Sequence, residues 1–218
     1  MHQFIRFTFI TILSTFTLLS SQNRASDAIW SDENFSGLKF RGIGPALMSG
    51  RISDIAINPQ DENTWYVAVG SGNVWKTVNA GVTWTPIFDD QGSYSIGCVT
   101  IDPNNPNVVW LGTGEDLGGR HFGYGDGVYR SEDGGKSWKN MGLENSEHVS
   151  KIVIHPNDSN TIWVASQGPL WSSGGERGVF KSTDGGETWK LILSDNEWTG
   201  ATELVLDPRD PDRVYAVL

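Results

Sequence analysis

Residues 181–189 read Lys181-Ser182-Thr183-Asp184-Gly185-Gly186-Glu187-Thr188-Trp189, and two other stretches repeat the pattern. Arg130-Ser131-Glu132-Asp133-Gly134-Gly135-Lys136-Ser137-Trp138 keeps every key position; Lys76-Thr77-Val78-Asn79-Ala80-Gly81-Val82-Thr83-Trp84 has Asn where the others have Asp. The shared form is Ser/Thr-x-Asp/Asn-x-Gly-x-Ser/Thr-Trp. Three copies in one chain are far more specific than one.

Each copy lies between two short apolar runs. Val74-Trp75, Val128-Tyr129 and Val179-Phe180 precede the three copies, and Thr85-Pro86-Ile87, Lys139-Asn140-Met141 and Lys190-Leu191-Ile192 follow them. The pattern therefore joins two strands by a tight turn. An Asp or Asn side chain bonds backbone amides further along the chain, and Gly supplies positive φ. Thr77, Asn79 and Gly81, Ser131, Asp133 and Gly135, and Ser182, Asp184 and Gly186 are expected to build turns, so their carboxylates are spent on structure. Trp84, Trp138 and Trp189 are expected to re-enter the sheet as large buried anchors.

A longer unit surrounds the turns. First strands end in Ile57-Asn58-Pro59, Ile101-Asp102-Pro103, Ile154-His155-Pro156 and Leu206-Asp207-Pro208, with prolines 44, 53 and 52 residues apart. The pattern tryptophans are 54 and 51 apart, and a period near 50 is that of propeller blades. Proline suits a strand end, where a missing donor is tolerated. A polar turn and a second apolar strand follow each proline, at 64–69, 108–112, 161–165 and 213–218. A third strand, the turn and a fourth strand complete four antiparallel strands. The expected fold is an all-β propeller of about three and a half blades. These are 51–88, 95–141, 149–193 and an incomplete 201–218, after a lead-in at 29–50. A propeller closes its ring to protect sheet edges, so the remaining blades are expected in a longer parent chain, or other chains complete the ring.

The chain has 218 residues, 16 basic and 26 acidic, for a net charge of −10. That argues against a nucleic acid or an anionic membrane as partner. Residues 1–28 read as a signal peptide: Arg6, an apolar run from Phe7 to Leu19, and the small-x-small site Ser26-Asp27-Ala28. The run is short for a bilayer span, and a short N-terminal anchor is the other reading of it. A signal peptide predicts a secreted, periplasmic or cell-surface protein with no transmembrane segment after its removal. Cys98 is the single cysteine, which excludes an intrachain disulfide and a cysteine zinc cluster and suits a small buried hydrophobe.

No metal or cofactor is expected. His-Glu-x-x-His and Gly-x-Ser-x-Gly motifs are absent, and the glycines at 112–114 and 123–127 lead into a strand rather than a helix. Asp207 to Asp212 reads as a polar turn rather than a calcium loop, having two prolines and no closing Glu.

The three turns resemble the BNR or Asp-box repeat of sialidase-like β-propellers. With Arg51-Ile52-Ser53-Asp54-Ile55-Ala56-Ile57-Asn58-Pro59, Gly72-Asn73-Val74-Trp75-Lys76-Thr77 and Gly112-Thr113-Gly114-Glu115, the chain from about Phe40 onward resembles the secreted bacterial propellers related to the sortilin N-terminal domain and to xyloglucanase-type glycoside hydrolases. The resemblance implies a propeller fold and either a ligand-binding or a glycoside-hydrolase role.

Propeller architecture puts the loops between second and third strands on one face, together with those between blades. The Asp-box turns lie on the other. The loop face would collect Glu115, Arg120, His121, Tyr124 and Asp126 from 112–127, and Trp171 from 167–177. Between blades it would collect Tyr94, Glu147, His148 and Trp198, with Arg51 entering the first blade at the same end. Acids, cations, histidines and aromatics together suit a polysaccharide or peptide ligand, aromatic faces stacking while polar groups orient. Ordinary solvated loops have a similar composition. Glycoside hydrolysis needs two carboxylates roughly 5–9.5 Å apart, for which Glu115, Asp126 and Glu147 are the candidates and Asp116 and Glu197 the wider set. The xyloglucanase family places a catalytic Asp before the first blade's Gly-Gly-aromatic turn; here Ala68-Val69-Gly70-Ser71-Gly72-Asn73-Val74-Trp75 has no acid, and the family's second acid would lie beyond residue 218. The first reading is a sortilin-like ligand-binding or protein-interaction module. The alternative is a xyloglucanase-like hydrolase with part of its acids on blades outside this chain.

Overall fold

The structure is a computed structural model describing residues 37, 50–116 and 122–218. Chain contacts divide it into Met1–Ala46 and Leu47–Leu218; the described part of the second unit is treated below. The expected signal peptide and nearly all of the lead-in lie outside the described residues.

The first sheet holds β1 (Ile52–Ile57), β2 (Trp65–Val69), β3 (Asn73–Thr77) and β4 (Thr85–Pro86) in chain order. The second holds β5 (Ile96–Ile101), β6 (Val109–Thr113), β7 (Val128–Ser131) and β8 (Lys139–Asn140). The third holds β9 (Val149–His155), β10 (Asp158–Ser166), β11 (Gly178–Ser182) and β12 (Lys190–Leu193), and β13 (Glu203–Asp207) pairs with β14 (Asp210–Val217) in a two-stranded sheet. All pairings are antiparallel. Three four-stranded blades and half of a fourth are what the repeat predicts.

The blades share one register. Ile57 opposes Trp65, Ile101 opposes Val109 and Ile154 opposes Ile162, so the residue before each polar-Pro end marks the same rung. In the third blade β10 starts at Asp158, three residues before the expected position, because Asp158 already pairs with His155.

First strands stand beside one another and exchange side-chain bonds across blades. Ser53 donates to the Ile96 carbonyl (2.7 Å), Thr100 to Ile152 (2.8 Å) and Ser150 to Ala201 (3.0 Å). The core is interblade. Tyr66, Val74 and Phe88 pack on Ile96, Leu111 and Tyr129; Trp110, Val128 and Met141 pack on Ile152, Ile162 and Val164; Trp163 and Val179 pack on Ala201 and Leu204. Each such side chain contributes about 1.5–3 kcal/mol on burial. Strands covered on both sides lose the alternating pattern, and all five residues of β6 are buried.

The repeated turns close as their residue types require. Ser131 donates to Asp133 Oδ1 (2.8 Å) and accepts from Gly135 N (2.8 Å), while Asp133 Oδ1 accepts from Lys136 N and Ser137 N (2.8 and 2.9 Å). Ser182 and Asp184 repeat this with Gly186 and Thr188, and Thr77 and Asn79 with Gly81 and Thr83. Gly81, Gly135 and Gly186 have φ of 87°, 89° and 89°, which glycine adopts without strain.

The tryptophans depart from expectation. Two of them hook onto the preceding blade: Trp138 Nε1 donates to the Ile87 carbonyl (2.8 Å) and Trp189 Nε1 to Met141 (2.7 Å). Both are half-buried, and Trp84, in the first blade, is 38% exposed with its edge on Trp65. Trp138 and Trp189 are thus pinned to the preceding blade, while Trp84 rests on Trp65 of its own.

Candidate functional site

The shared register places Arg51, Ser95, His148 and Gly200 at equivalent positions, each six residues before the rung residue. Their backbones behave alike: the carbonyls of Arg51, Ser95 and His148 accept from Gly70 N (2.8 Å), Gly114 N (2.8 Å) and Gln167 N (2.9 Å). These residues stand just before the first strands of their blades, at one end of the inner strands. Glu115 follows Gly114 and so reaches that end from the second-to-third-strand loop.

Glu115 is 2% exposed and is ion-paired with Arg51, whose Nε lies 2.5 Å from Oε1 and whose side chain is 49% exposed. Gly70 makes the space: a Cβ there would stand 2.5 Å from Glu115 Oε1.

His148 is fully buried beside this pair. Its Nδ1 lies 2.8 Å from the Glu115 carbonyl, so Nδ1 carries the hydrogen, and Nε2 is left as an acceptor with no partner among the described residues. Burial lowers its pKa and keeps the ring neutral. Tyr124 and Phe122 lie 5.6 and 6.0 Å from the imidazole, and Trp171 lies 6.4 Å from Phe122.

Asp116 is next in the chain. Burial first, then the Asp54 and Glu115 charges, push its carboxyl up to about 6, with Lys151 acting in the opposite sense. Asp54 and Lys151 occupy the same position in β1 and β9. Oδ1 of Asp116 is buried without a hydrogen-bond partner among the described residues, while its backbone carbonyl accepts from Gln167 Nε2 (2.8 Å).

The structure brings Arg51, Glu115, Tyr124, His148 and Trp171 together. Asp126 serves the loop itself, accepting from Tyr129 Oη (2.7 Å) and Thr113 Oγ1 (3.3 Å). Glu147 has φ +55° and gives its carbonyl to Gly125 N (2.8 Å). A Cβ on Gly114, whose φ is +84°, would sit 1.8 Å from that carbonyl, so only glycine lets the two loops touch. Tyr94 and Trp198 are exposed and make no ring contact with the cluster among the described residues. Arg120 and His121 lie outside the described residues. Asp116 stood only in the wider set of acids, and Phe122 and Gln167 carry no sequence signal beyond their loops. Among the described residues no group of three or more His, Cys, Asp or Glu could hold a metal.

Two solved GH74 enzymes share the fold. One, an ancestral GH74 enzyme, is 22% identical with a TM-score of 0.59, over 76% of this chain and 22% of that one. The other, from Niastella koreensis, is 24% identical with a TM-score of 0.59, over 74% and 24%. The fold is a β-propeller fold shared with these GH74 enzymes. In sequence, the family described as Sortilin-Vps10 (sortilin, neurotensin receptor 3) matches this propeller over residues 126–218. The oligoxyloglucan-reducing end-specific xyloglucanase of Emericella nidulans is 21% identical over 79% of the propeller chain and 22% of its own length. Xyloglucanase Xgh74A of Acetivibrio thermocellus is 25% identical over 65% and 20%. The propeller chain thus spans about a fifth of the length of these curated relatives.

Proposed function

We propose that this chain contributes the ligand-contacting loop face of an exported β-propeller, and that the ligand is a polysaccharide or peptide seated over Arg51, Glu115, Tyr124, His148 and Trp171. The observation that carries this reading is the convergence of a buried carboxylate paired with a half-exposed arginine, a buried histidine and exposed aromatic rings at the inner-strand ends. Preorganised polar groups beside aromatic faces are what a small, oriented ligand site requires. The printed names of the xyloglucanase relatives make a β-glucan oligosaccharide the first ligand to try. The Sortilin-Vps10 match makes a peptide the second. Further blades would extend the face. Among the described residues no helix is long and apolar enough to cross a membrane.

A glycoside-hydrolase reading has one observation in its favour. Burial and the neighbouring Asp54 and Glu115 charges push the Asp116 carboxyl up to about 6, the direction a general acid requires. The other acids are less apt: Glu115 is ion-paired with Arg51 and Asp126 is bonded to Tyr129 and Thr113.

The test is calorimetric titration of the full chain with xyloglucan heptasaccharide and with a peptide library, followed by assay of reducing-end release. Binding without release, lost in Tyr124→Ala, supports the binding module. Release that is lost in Asp116→Asn replaces it with the hydrolase. Absence of binding to both ligand classes contradicts the proposal.

A further inference from the structure

Three loops on this face, 144–148, 167–177 and 195–199, are separate in sequence and joined in space by two adjacent side chains. Arg177 is 8% exposed and has no carboxylate partner among the described residues. Its guanidinium instead donates to five backbone carbonyls. Nε bonds Gly174 (2.7 Å), Nη1 bonds Gln167 (2.8 Å) and Trp198 (3.2 Å), and Nη2 bonds Pro169 and Ser172. Four of these acceptors belong to its own loop, which is wound around the side chain. The fifth crosses to the loop after the third blade, where Gly174 N also donates to the Glu197 carbonyl (2.8 Å).

Glu176 reaches the other way. Its carboxylate accepts from Asn145 N (2.8 Å) and its own amide donates to the Asn145 carbonyl (3.1 Å), in the loop before the third blade. A buried guanidinium is tolerated only when its donors are satisfied, and the fork geometry of Arg lets one side chain satisfy acceptors in several directions. The winding is tight. A Cβ on Gly168, where φ is +72°, would lie 2.2 Å from Arg177 Cγ.

We infer that Glu176 and Arg177 lock these three loops into one rigid wall, with Trp171 at its crest, and that Arg177 is a positioning residue for ligand contact there. The ligand part rests on the function proposed above. The locking does not.

Fluorine NMR of the full chain labelled with 5-fluorotryptophan tests it, with resonances assigned by Trp171→Phe, Trp198→Phe and Trp138→Phe. Arg177→Lys keeps the charge but presents one nitrogen, which cannot serve five carbonyls. Its Trp171 and Trp198 resonances are expected to shift or broaden together while Trp138 stays in place. Gly168→Ala displaces the same guanidinium without altering charge and is expected to move the same pair. If Arg177→Lys loses the fold, all the tryptophans move together and Gly168→Ala decides. Movement of Trp171 alone, or of neither, with Trp138 unchanged would overturn the locking. In parallel, xyloglucan heptasaccharide affinity is expected to weaken about ten-fold in Arg177→Lys, the cost of one well-placed contact. A wild-type protein that ignores the probe removes the ligand reading and leaves the NMR result standing.

Discussion

Arg51 and Glu115 are 64 residues apart and form an ion pair between the first and second blades, the carboxylate buried and the guanidinium half in solvent. The pair fastens the second blade's long loop to the start of the first. Removing the cation alone leaves a buried carboxylate without its counter-charge. Arg51→Met is expected to lower unfolding free energy by about 2 kcal/mol, the usual cost of orphaning a buried charged acceptor. Arg51→Met with Glu115→Gln should recover part of that loss. Urea denaturation followed by tryptophan fluorescence measures both; equal stability of wild type and single variant would contradict the assignment.

Asp116 gives a pH dependence of definite sign. Its folded carboxyl is raised to about 6 from the ordinary 3.8. Between those values the folded state holds more protons than the unfolded one, so this group makes stability fall as pH rises from about 4 to about 6, and the deficit persists above. Asp116→Asn is expected to remove that fall and to be more stable than wild type at pH 7. Denaturation midpoints of both proteins across pH 4–7 check it, and parallel curves would refute it.

The turn carboxylates act in the opposite sense. Hydrogen bonds from Thr188 hold Asp184 down to about 2, and Ser137 likewise lowers Asp133. Their contribution is present above the unfolded value near 4 and is lost as pH falls toward 2. Ser131, buried between Asp133 and Gly135, anchors one such turn. Ser131→Ala is expected to cost about 1–2 kcal/mol at neutral pH, read from thermal melts. A change within error would mean the turn closes without it.

Cys98 is buried, and burial raises its thiol pKa well above the ordinary range. Iodoacetamide at pH 8 is expected to leave the native protein unmodified and to alkylate it fully in denaturant. Rapid labelling of the native protein, seen by mass spectrometry, would place Cys98 on the surface.

Much of this fold was legible because its signals are local and repeated. A turn that needs Ser or Thr, an Asx side chain and a positive-φ glycine at fixed spacing announces itself three times, and Ile/Leu-polar-Pro marks the same rung four times. What Trp138 and Trp189 do was not legible. Their indoles bond carbonyls 51 and 48 residues away, in the preceding blade, and no local pattern encodes that partner. The site divides in the same way. Loop placement gathered Glu115, Tyr124, His148 and Trp171 on one face. That Arg51 takes Glu115, that Tyr129 takes Asp126 and that Asp116 is the acid whose carboxyl is raised depend on contacts between blades and on burial, which loop composition does not carry.

The measurement closest to the central claim is hydrogen–deuterium exchange of the full chain with and without saturating xyloglucan heptasaccharide or the best-binding peptide, read separately over the two faces. The account predicts slowed exchange at 112–116, 122–127, 144–148 and 167–177, with the turns at 79–83, 133–137 and 184–188 unchanged, and loss of the effect in Trp171→Ala. Protection confined to those turns, or unaltered by Trp171→Ala, would contradict it.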